Sequence, residues 1–122
     1  MRGGTKAKMS ELGAKYQQLQ NELEEFIVAR QKLETQLQEN KIVNEEFDQL
    51  EEDTPVYKLT GNVLLPVEQS EARTNVDKRL EFIETEITRC EKNIRDKQEE
   101  LEKVRSELIK LNNTAASTGP GR

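Results

Sequence analysis

Two stretches of the sequence repeat apolar residues in steps of three and four, and one short segment between them does not. The first stretch runs from Leu12 to Phe47 and the second from Val76 to Leu111, so each spans 35 residue steps. Apolar residues at positions a and d of a heptad are typical of helices that bury one stripe against another helix. The sequence therefore predicts two long helices with apolar stripes of equal length.

The composition favours the same interpretation. Hydrophobic residues make up 33% of the chain and charged residues 35%, against roughly 45–50% and about 25% in ordinary globular domains. Such a chain cannot bury a large core by itself. Disordered chains and coiled coils share this balance, and the regular spacing of the apolar residues favours the coiled coil.

The segment 54–67 between the heptads has the residues of two short strands. Val56–Thr60 and Val63–Leu65 are rich in β-branched, aromatic and aliphatic residues, which favour strands. The pair Gly61-Asn62 lies between them and is of the kind that takes positive φ in a tight turn. The segment therefore predicts one β-hairpin.

The hairpin needs a partner. Pro55 and Pro66 are expected at its two ends, because a central strand needs the backbone donor that proline lacks. A two-stranded hairpin alone is marginally stable, and both of its edges expose unpaired backbone groups. We therefore expect something else to complete this sheet.

These signals divide the chain into five segments. Ser10 and Ser70 are plausible N-caps, Thr74 being a competing start for the second helix, and Glu51-Glu52-Asp53 should fray the end of the first helix. We expect a flexible leader at 1–9, helices at 10–53 and 70–112, the hairpin at 54–67 and a disordered tail at 113–122.

A mainly α fold follows, with the two helices forming one antiparallel coiled-coil arm. Equal apolar lengths on both sides of a tight turn let each helix bury the stripe of the other. A parallel homodimer of one long helix is the alternative, and the prolines and Gly61 in the middle speak against it. The predicted coiled-coil seam consists of Leu23, Phe26, Leu33, Leu37, Phe47, Leu80, Ile83, Ile87, Cys90, Ile94, Leu101 and Val104.

Polar residues interrupt this seam at Arg30, Asn40, Asn44 and Lys97. Polar residues at a and d lower stability but disfavour other alignments, so we interpret them as controlling register. A polar binding site for a partner is the alternative. Cys90 at a d position is expected to be a small buried hydrophobe rather than a redox thiol.

Charge and cysteine content exclude several functions. Residues 10–53 hold twelve acids and four bases, and residues 70–112 hold eleven acids and ten bases, so neither a nucleic acid nor an anionic membrane is expected as partner. The absence of histidine, of a glycine-rich phosphate loop and of a nucleophile-base pair argues against a metal site, a cofactor and an enzyme. A single cysteine and no apolar secretory segment favour the cytoplasm.

Six apolar residues should meet where the heptads begin and end, and we call them the helix-end cluster. Ile109 does not fit the a/d pattern and should flank the stripe, where another protein could contact it. The alternative is that these residues merely complete the coiled coil. The helix-end cluster consists of Leu12, Tyr16, Leu19, Leu108, Ile109 and Leu111.

Three motifs in the middle of the chain are specific. They are V-Y-K-L-T-G-N-V-L-L at 56–65, the preceding E-E-D-T-P, and R-L-E-F-I-E from Arg79 to Glu84. With these motifs the chain resembles the β-class subunits of prefoldin. The resemblance extends over about residues 9–112, and the hairpin motif is its specific part, since heptads alone would fit many coiled coils.

The resemblance implies a hetero-hexamer of two α-class and four β-class subunits, whose hairpins join in an intersubunit β-barrel. Such complexes hold unfolded polypeptides, notably actin and tubulin, at the tips of their arms without ATP and deliver them to the cytosolic chaperonin. It also implies that the helix-end cluster contacts client or chaperonin and that the hairpin carries the assembly residues. These are Val56, Tyr57, Leu59, Gly61, Asn62, Val63, Leu64 and Leu65. A structural coiled-coil adaptor without chaperone activity is the alternative.

Overall fold

The chain forms two long helices joined by one antiparallel hairpin, in a computed structural model that describes the backbone of residues 2–117 and the side chains of residues 4–114. Helix α1 is Arg2–Gln49, strand β1 is Val56–Thr60, strand β2 is Val63–Val67 and helix α2 is Gln69–Ser117. This confirms the predicted mainly α fold with a single central hairpin.

Helix α1 begins earlier, and helix α2 ends later, than the sequence predicted. Helix α1 includes residues 2–9, which were expected to be a flexible leader, because Lys6, Ala7, Lys8 and Met9 are good helix formers and can continue the helix past Ser10. Helix α2 continues to Ser117, and no glycine or proline occurs in it that would end it earlier. The rest of the predicted tail, 118–122, and Met1 lie outside the described residues.

The other end of α1 is shorter than expected. It ends at Gln49 rather than at Asp53, and Leu50 closes it by donating its N–H to the carbonyl of Phe47 at 3.2 Å. Glu51, Glu52 and Asp53 follow as turn residues, because carboxylates are unfavourable at the negative end of the helix dipole.

The chain divides into two units. Unit 1 contains Met1–Ala29 and Cys90–Arg122, and unit 2 contains Arg30–Arg89 with the hairpin. In unit 1, an α1 segment and an α2 segment bury apolar side chains, with Leu19 and Val104 among the most buried.

Unit 2 has a core of Leu37, Ile83 and Ile87, with Leu33 and Leu80 packed against it. Its helices run antiparallel, since an earlier α1 residue contacts a later α2 residue: Asn40 accepts a hydrogen bond from Arg79, whereas the later Asp48 pairs with the earlier Arg73. No polar side chain of the described residues is buried. The core is thin, as the low apolar content requires.

The hairpin has a two-residue turn. Thr60 pairs with Val63 across Gly61 and Asn62. Gly61 has a φ of 62°, and no non-glycine residue among those described has a positive φ. A turn with positive φ at only its first central residue is of type II′, which explains glycine at that position. The sequence predicted positive φ for the pair Gly61-Asn62, and the structure has it at Gly61 but not at Asn62.

The second strand passes through Pro66, which was expected to end it. Strand β2 extends to Val67, and Pro66 is the partner of Tyr57. The position of the turn explains why Pro66 is tolerated within the strand. Thr60 and Val63 exchange backbone hydrogen bonds next to the turn, and because bonded and non-bonded pairs alternate, Tyr57 and Pro66 form a non-bonded pair. Proline therefore removes no hydrogen bond from the hairpin.

Replacing Gly61 by alanine should destabilise the hairpin by about 1–2 kcal/mol, because an L-residue is strained in the left-handed region. Open space surrounds the added Cβ, with nothing within 4 Å, so the cost is conformational. Asn62→Ala is the matched control and should stay within about 0.5 kcal/mol, since Asn62 does not have positive φ. Amide hydrogen exchange of Val63 measures both, and equal protection in the two variants would contradict the turn assignment.

Candidate functional site

One face of the hairpin is apolar and exposed. Side chains alternate between the two faces of a strand, so Tyr57 and Leu59 share a face with their partners Pro66 and Leu64. The side chains of Tyr57, Leu59 and Leu64 are 56%, 68% and 62% exposed, and Pro66 is exposed too. We call these four residues the apolar hairpin face. A contiguous apolar surface of this kind marks a binding surface.

The opposite face of the hairpin is mixed. It carries Lys58 and Thr60 beside Val63 and Leu65, all exposed. Val56 and Val67, which pair at the end of the ribbon next to the helices, are half-buried there. The assembly residues predicted from the sequence therefore lie on both faces, and the face opposite the apolar hairpin face mixes apolar with polar side chains.

Two side chains of α2 hold the base of the hairpin. Gln69 donates from Nε2 to the carbonyls of Glu51 and Thr54, at 2.7 Å and 3.2 Å. Arg73 donates from Nη2 to the carbonyl of Phe47 at 2.7 Å and pairs through Nη1 with Asp48 at 2.8 Å. Arg73 thus joins α2 to the end of α1, and Gln69 joins α2 to the segment between α1 and β1, so the two side chains together orient the hairpin.

Sequence reasoning did not identify Gln69 or Arg73. A signal for them exists, because three acids follow the end of α1 and no basic residue lies in its last turn, so donors for its last carbonyls must come from elsewhere. Gln69 and Arg73 lie on the first turns of the helix that follows the hairpin, where such donors can reach back.

The helix-end cluster belongs to unit 1 and is mostly covered. Leu19 is buried, and Ile109 is 49% exposed. The remaining members are half-buried, namely Leu12, Tyr16, Leu108 and Leu111. Ile109 is therefore the one member that offers a large apolar side chain to another molecule.

The predicted coiled-coil seam lies away from solvent in both units. Its buried members are Leu37, Phe47, Ile83, Ile87, Cys90 and Val104, and its half-buried members are Leu23, Phe26, Leu33, Leu80, Ile94 and Leu101.

The four polar seam residues are half-buried, and three of them make a defined polar contact. Arg30 pairs with Glu34 at 3.5 Å, and Asn40 donates to the carbonyl of Gln36 at 2.7 Å. Asn44 is half-buried without a hydrogen bond among those described.

Lys97 makes a short ion pair within unit 1. Its Nζ lies 2.7 Å from Oε2 of Glu22 and 3.8 Å from Oε1 of Glu100. The hydrogen bond from Lys97 lowers the pKa of Glu22, and a second hydrogen bond, from Gln18, adds to this effect. The hydrogen bond to Glu22 in turn raises the pKa of Lys97. The pair joins α1 to α2, so it favours the alignment in which the two residues meet.

The pair should make stability depend on pH at both extremes. Because the pKa of Glu22 is lowered, its contribution is present above the usual value of 4.5 and is lost as the pH falls through the folded-state value. Because the pKa of Lys97 is raised, its contribution is present below the usual value of 10.5 and is lost as the pH rises through the folded-state value.

Thermal unfolding of Glu22→Gln against the unmodified chain measures this. The difference in Tm should be constant between the two usual values and shrink outside them. Glu102→Gln removes the exposed pair with Arg105 and should change Tm little at any pH, because exposed pairs contribute little. A Glu22→Gln difference that is absent at neutral pH would contradict the role of the pair.

Catalytic and metal sites were not expected from the sequence. Cys90 is buried with a free thiol. Within residues 4–114, no group of three or more cysteine, aspartate or glutamate side chains is arranged to hold a metal ion. Neither described helix has a stretch apolar and long enough to cross a membrane.

Comparisons with known proteins agree with this geometry. The family model described as prefoldin subunit matches residues 10–115. Prefoldin subunit 6 of Saccharomyces cerevisiae is 99% identical over 114 residues, which cover 93% of this chain and 100% of that protein. Prefoldin subunit 6 of Homo sapiens is 47% identical over 97 residues, which cover 80% of this chain and 75% of that protein.

The fold is also that of a solved structure. The prefoldin beta subunit from Thermococcus strain KS-1 superposes with a TM-score of 0.76 at 19% identity, covering 93% of this chain and 95% of that chain. The resemblance drawn from residues 56–65 is thereby confirmed: the chain belongs to the prefoldin family, and its fold is similar to that of a prefoldin beta subunit.

Proposed function

We propose that this chain is one subunit of a hetero-hexameric, ATP-independent holdase that captures unfolded polypeptides. The observation that carries the proposal is the apolar hairpin face, which is exposed on a hairpin with two open edges. A lone hairpin is unstable in water, so the exposed face is explained if other subunits cover it. The names of its relatives, which are subunits of prefoldin, support assembly.

The hairpin joins an intersubunit β-barrel with α-class and β-class subunits. A closed barrel pairs every strand and leaves no edge. The assembly residues are those from Val56 to Leu65 on both faces, and Gly61 and Asn62 set the turn.

The helix-end cluster contacts clients. Unfolded chains expose apolar side chains, and Ile109 offers an apolar side chain beside the half-buried Tyr16 and Leu108. Clients of the actin and tubulin class, delivery to the cytosolic chaperonin and a cytoplasmic location complete the proposal. Capture of this kind needs neither nucleotide nor catalysis, so no cofactor is involved.

Suppression of aggregation by the assembled complex tests the holdase. The complex containing the unmodified chain should keep a denatured client soluble without ATP. Ile109→Ser should weaken this protection while leaving assembly intact, and Ile42→Ser is the matched control, because Ile42 is a similarly exposed isoleucine in unit 2. Equal protection by both variants would argue against the helix-end cluster.

A structural coiled-coil adaptor is the second candidate. Long charged helices with a half-buried seam favour it, since partners could dock along their faces. Shortening both helices to remove the helix-end cluster separates the two functions. The holdase loses protection of the client while the complex still assembles, whereas the adaptor complex behaves as before.

A further inference from the structure

Unit 2 has two unlike sides next to its seam. With Asn44 and Leu80 counted as a positions of the heptad, the g positions of both helices flank the seam on one side and the e positions on the other, because the helices run antiparallel. The residues at the e positions are all polar, namely Glu34, Lys41, Asp48, Ser70, Asp77 and Glu84. The e side is therefore an ordinary solvated face of a coiled coil.

The g side is apolar at the end next to the hairpin. Farther from the hairpin it is polar, since Gln36 and Glu86 occupy the g positions there. Phe82 lies on the same side, at a c position one helical turn after the g residue Arg79. We call the apolar residues of this side the apolar flank, which consists of Val43, Leu50, Ala72 and Phe82.

The apolar flank exposes large side chains. Phe82 is 63% exposed, more than any other large apolar side chain on the described parts of the two helices, and Val43 and Leu50 are exposed too. A c position points away from the seam, so packing within the arm does not account for a phenylalanine there. Apolar side chains grouped on one side of a helix pair mark an interaction surface, and aromatic residues are enriched in such surfaces.

Arg79 adds a charge to this surface. It is exposed, and its one polar contact among the described residues is a long hydrogen bond of 3.5 Å to Oδ1 of Asn40. A guanidinium beside apolar side chains is complementary to a surface that brings a carboxylate and apolar groups together. The partner therefore has both.

The position of the apolar flank indicates which molecule covers it. It starts at Leu50, which follows the last residue of α1 and precedes the segment that leads into β1. It extends about 15 Å along α2, from Ala72 to Phe82. Arms that leave one barrel side by side lie closest together where they begin, and the apolar flank occupies this part of the arm.

We propose that the apolar flank is a second contact between subunits, outside the hairpin. The arm of a neighbouring subunit packs an apolar side chain against Phe82 and places a carboxylate against Arg79. The proposal rests on the proposed assembly and adds to it a contact between helices. This contact explains why only one side of unit 2 departs from the polar flanks of an ordinary coiled coil.

Phe82 and Ile42 allow a matched test, because both are large, exposed apolar side chains of unit 2. Ile42 lies at an f position, away from both sides of the seam. Phe82→Ala should weaken the association of this chain with other subunits by ~10-fold or more, because the burial of a large apolar side chain is lost. Ile42→Ala should stay within about threefold of the unmodified chain. Titration measures both affinities, and far-UV circular dichroism checks that helix content is unchanged.

The charge is tested separately at two adjacent residues. Arg79→Glu should weaken association by ~10-fold or more at low salt and by less at high salt, because it places like charges together and salt screens them. Lys78→Glu makes the same change of charge at the neighbouring f position and should stay within about threefold of the unmodified chain. Equal losses for the two variants would overturn the carboxylate contact.

An unfolded client is the competing occupant of the apolar flank, and hydroxyl-radical footprinting separates it from a subunit. In the complex without client, Phe82 should be protected from oxidation relative to the isolated chain, and Ile42 should not. Protection of Phe82 only after a denatured client is added would overturn the inference and leave the proposed function intact.

Two further results decide between the inference and the proposed function. Equal affinities of Phe82→Ala and Ile42→Ala for the other subunits would overturn the inference alone. Failure of the unmodified chain to join other subunits would overturn both.

Discussion

Replacing Tyr57 and Leu59 together by glutamate is expected to abolish incorporation of the chain into a complex with other prefoldin subunits. Both side chains lie on the apolar hairpin face and are more than half exposed in the isolated chain. Burying a large apolar side chain contributes about 1.5–3 kcal/mol, and a buried unpaired carboxylate costs more. The loss of both side chains alone should weaken association by ~100-fold or more.

The helices should not respond to this change. Tyr57 and Leu59 belong to the hairpin and make no contribution to the core cluster of unit 2, which lies between the helices. Helix content by circular dichroism should therefore match that of the unmodified chain, while the double variant elutes apart from the other subunits in size-exclusion chromatography.

Lys58→Glu is the matched control for charge. It changes the net charge by the same two units, on the same strand, but on the mixed face. It should retain most of the assembly. Loss of assembly in Lys58→Glu to the same extent as in the double variant would show that charge, and not burial of the apolar hairpin face, decides association.

Ile83→Ala is expected to destabilise the chain by about 2–5 kcal/mol. Ile83 is only 3% exposed and packs with Leu37 and Ile87, so the deleted atoms leave a cavity in a core that has few other members. Against the ~5–15 kcal/mol stability of ordinary domains, this is a large fraction. Urea unfolding followed by circular dichroism measures it.

The neighbouring residue provides the control. Phe82 is larger than Ile83 but is 63% exposed, so Phe82→Ala should change the free energy of unfolding by about 0.5 kcal/mol or less. A greater loss for Phe82→Ala than for Ile83→Ala would contradict the placement of the seam.

The heptads made the fold predictable from sequence. The periodicity of the apolar residues identified both helices and their seam, and Gly61-Asn62 identified the turn. The helix ends were less predictable, because propensity alone can carry a helix past a candidate cap such as Ser10. The prediction that Pro66 ends the strand was wrong, because the effect of a proline depends on whether its position in the strand is hydrogen-bonded. Only the register of the hairpin reveals this.

The candidate site could be predicted in part from residue types alone. The residue types of segment 54–67 indicated a hairpin without any structure. The division of that hairpin into the apolar hairpin face and a mixed face needed the cross-strand pairs. The contacts of Arg73 with the end of α1 and of Gln69 with the segment before β1 join residues that are 15 to 26 positions apart. The sequence signals that donors are needed there, but it does not identify the residues that supply them.

The most direct test of the central claim is the mass of the complex that this chain forms with α-class and β-class prefoldin subunits, measured by native mass spectrometry after co-expression. If the hairpin mediates assembly, we expect a hetero-hexamer that contains this chain. The variant in which Tyr57 and Leu59 are replaced by glutamate should be absent from the hexamer. A stable monomer that ignores the other subunits, or a hexamer that still incorporates the double variant, would contradict the account.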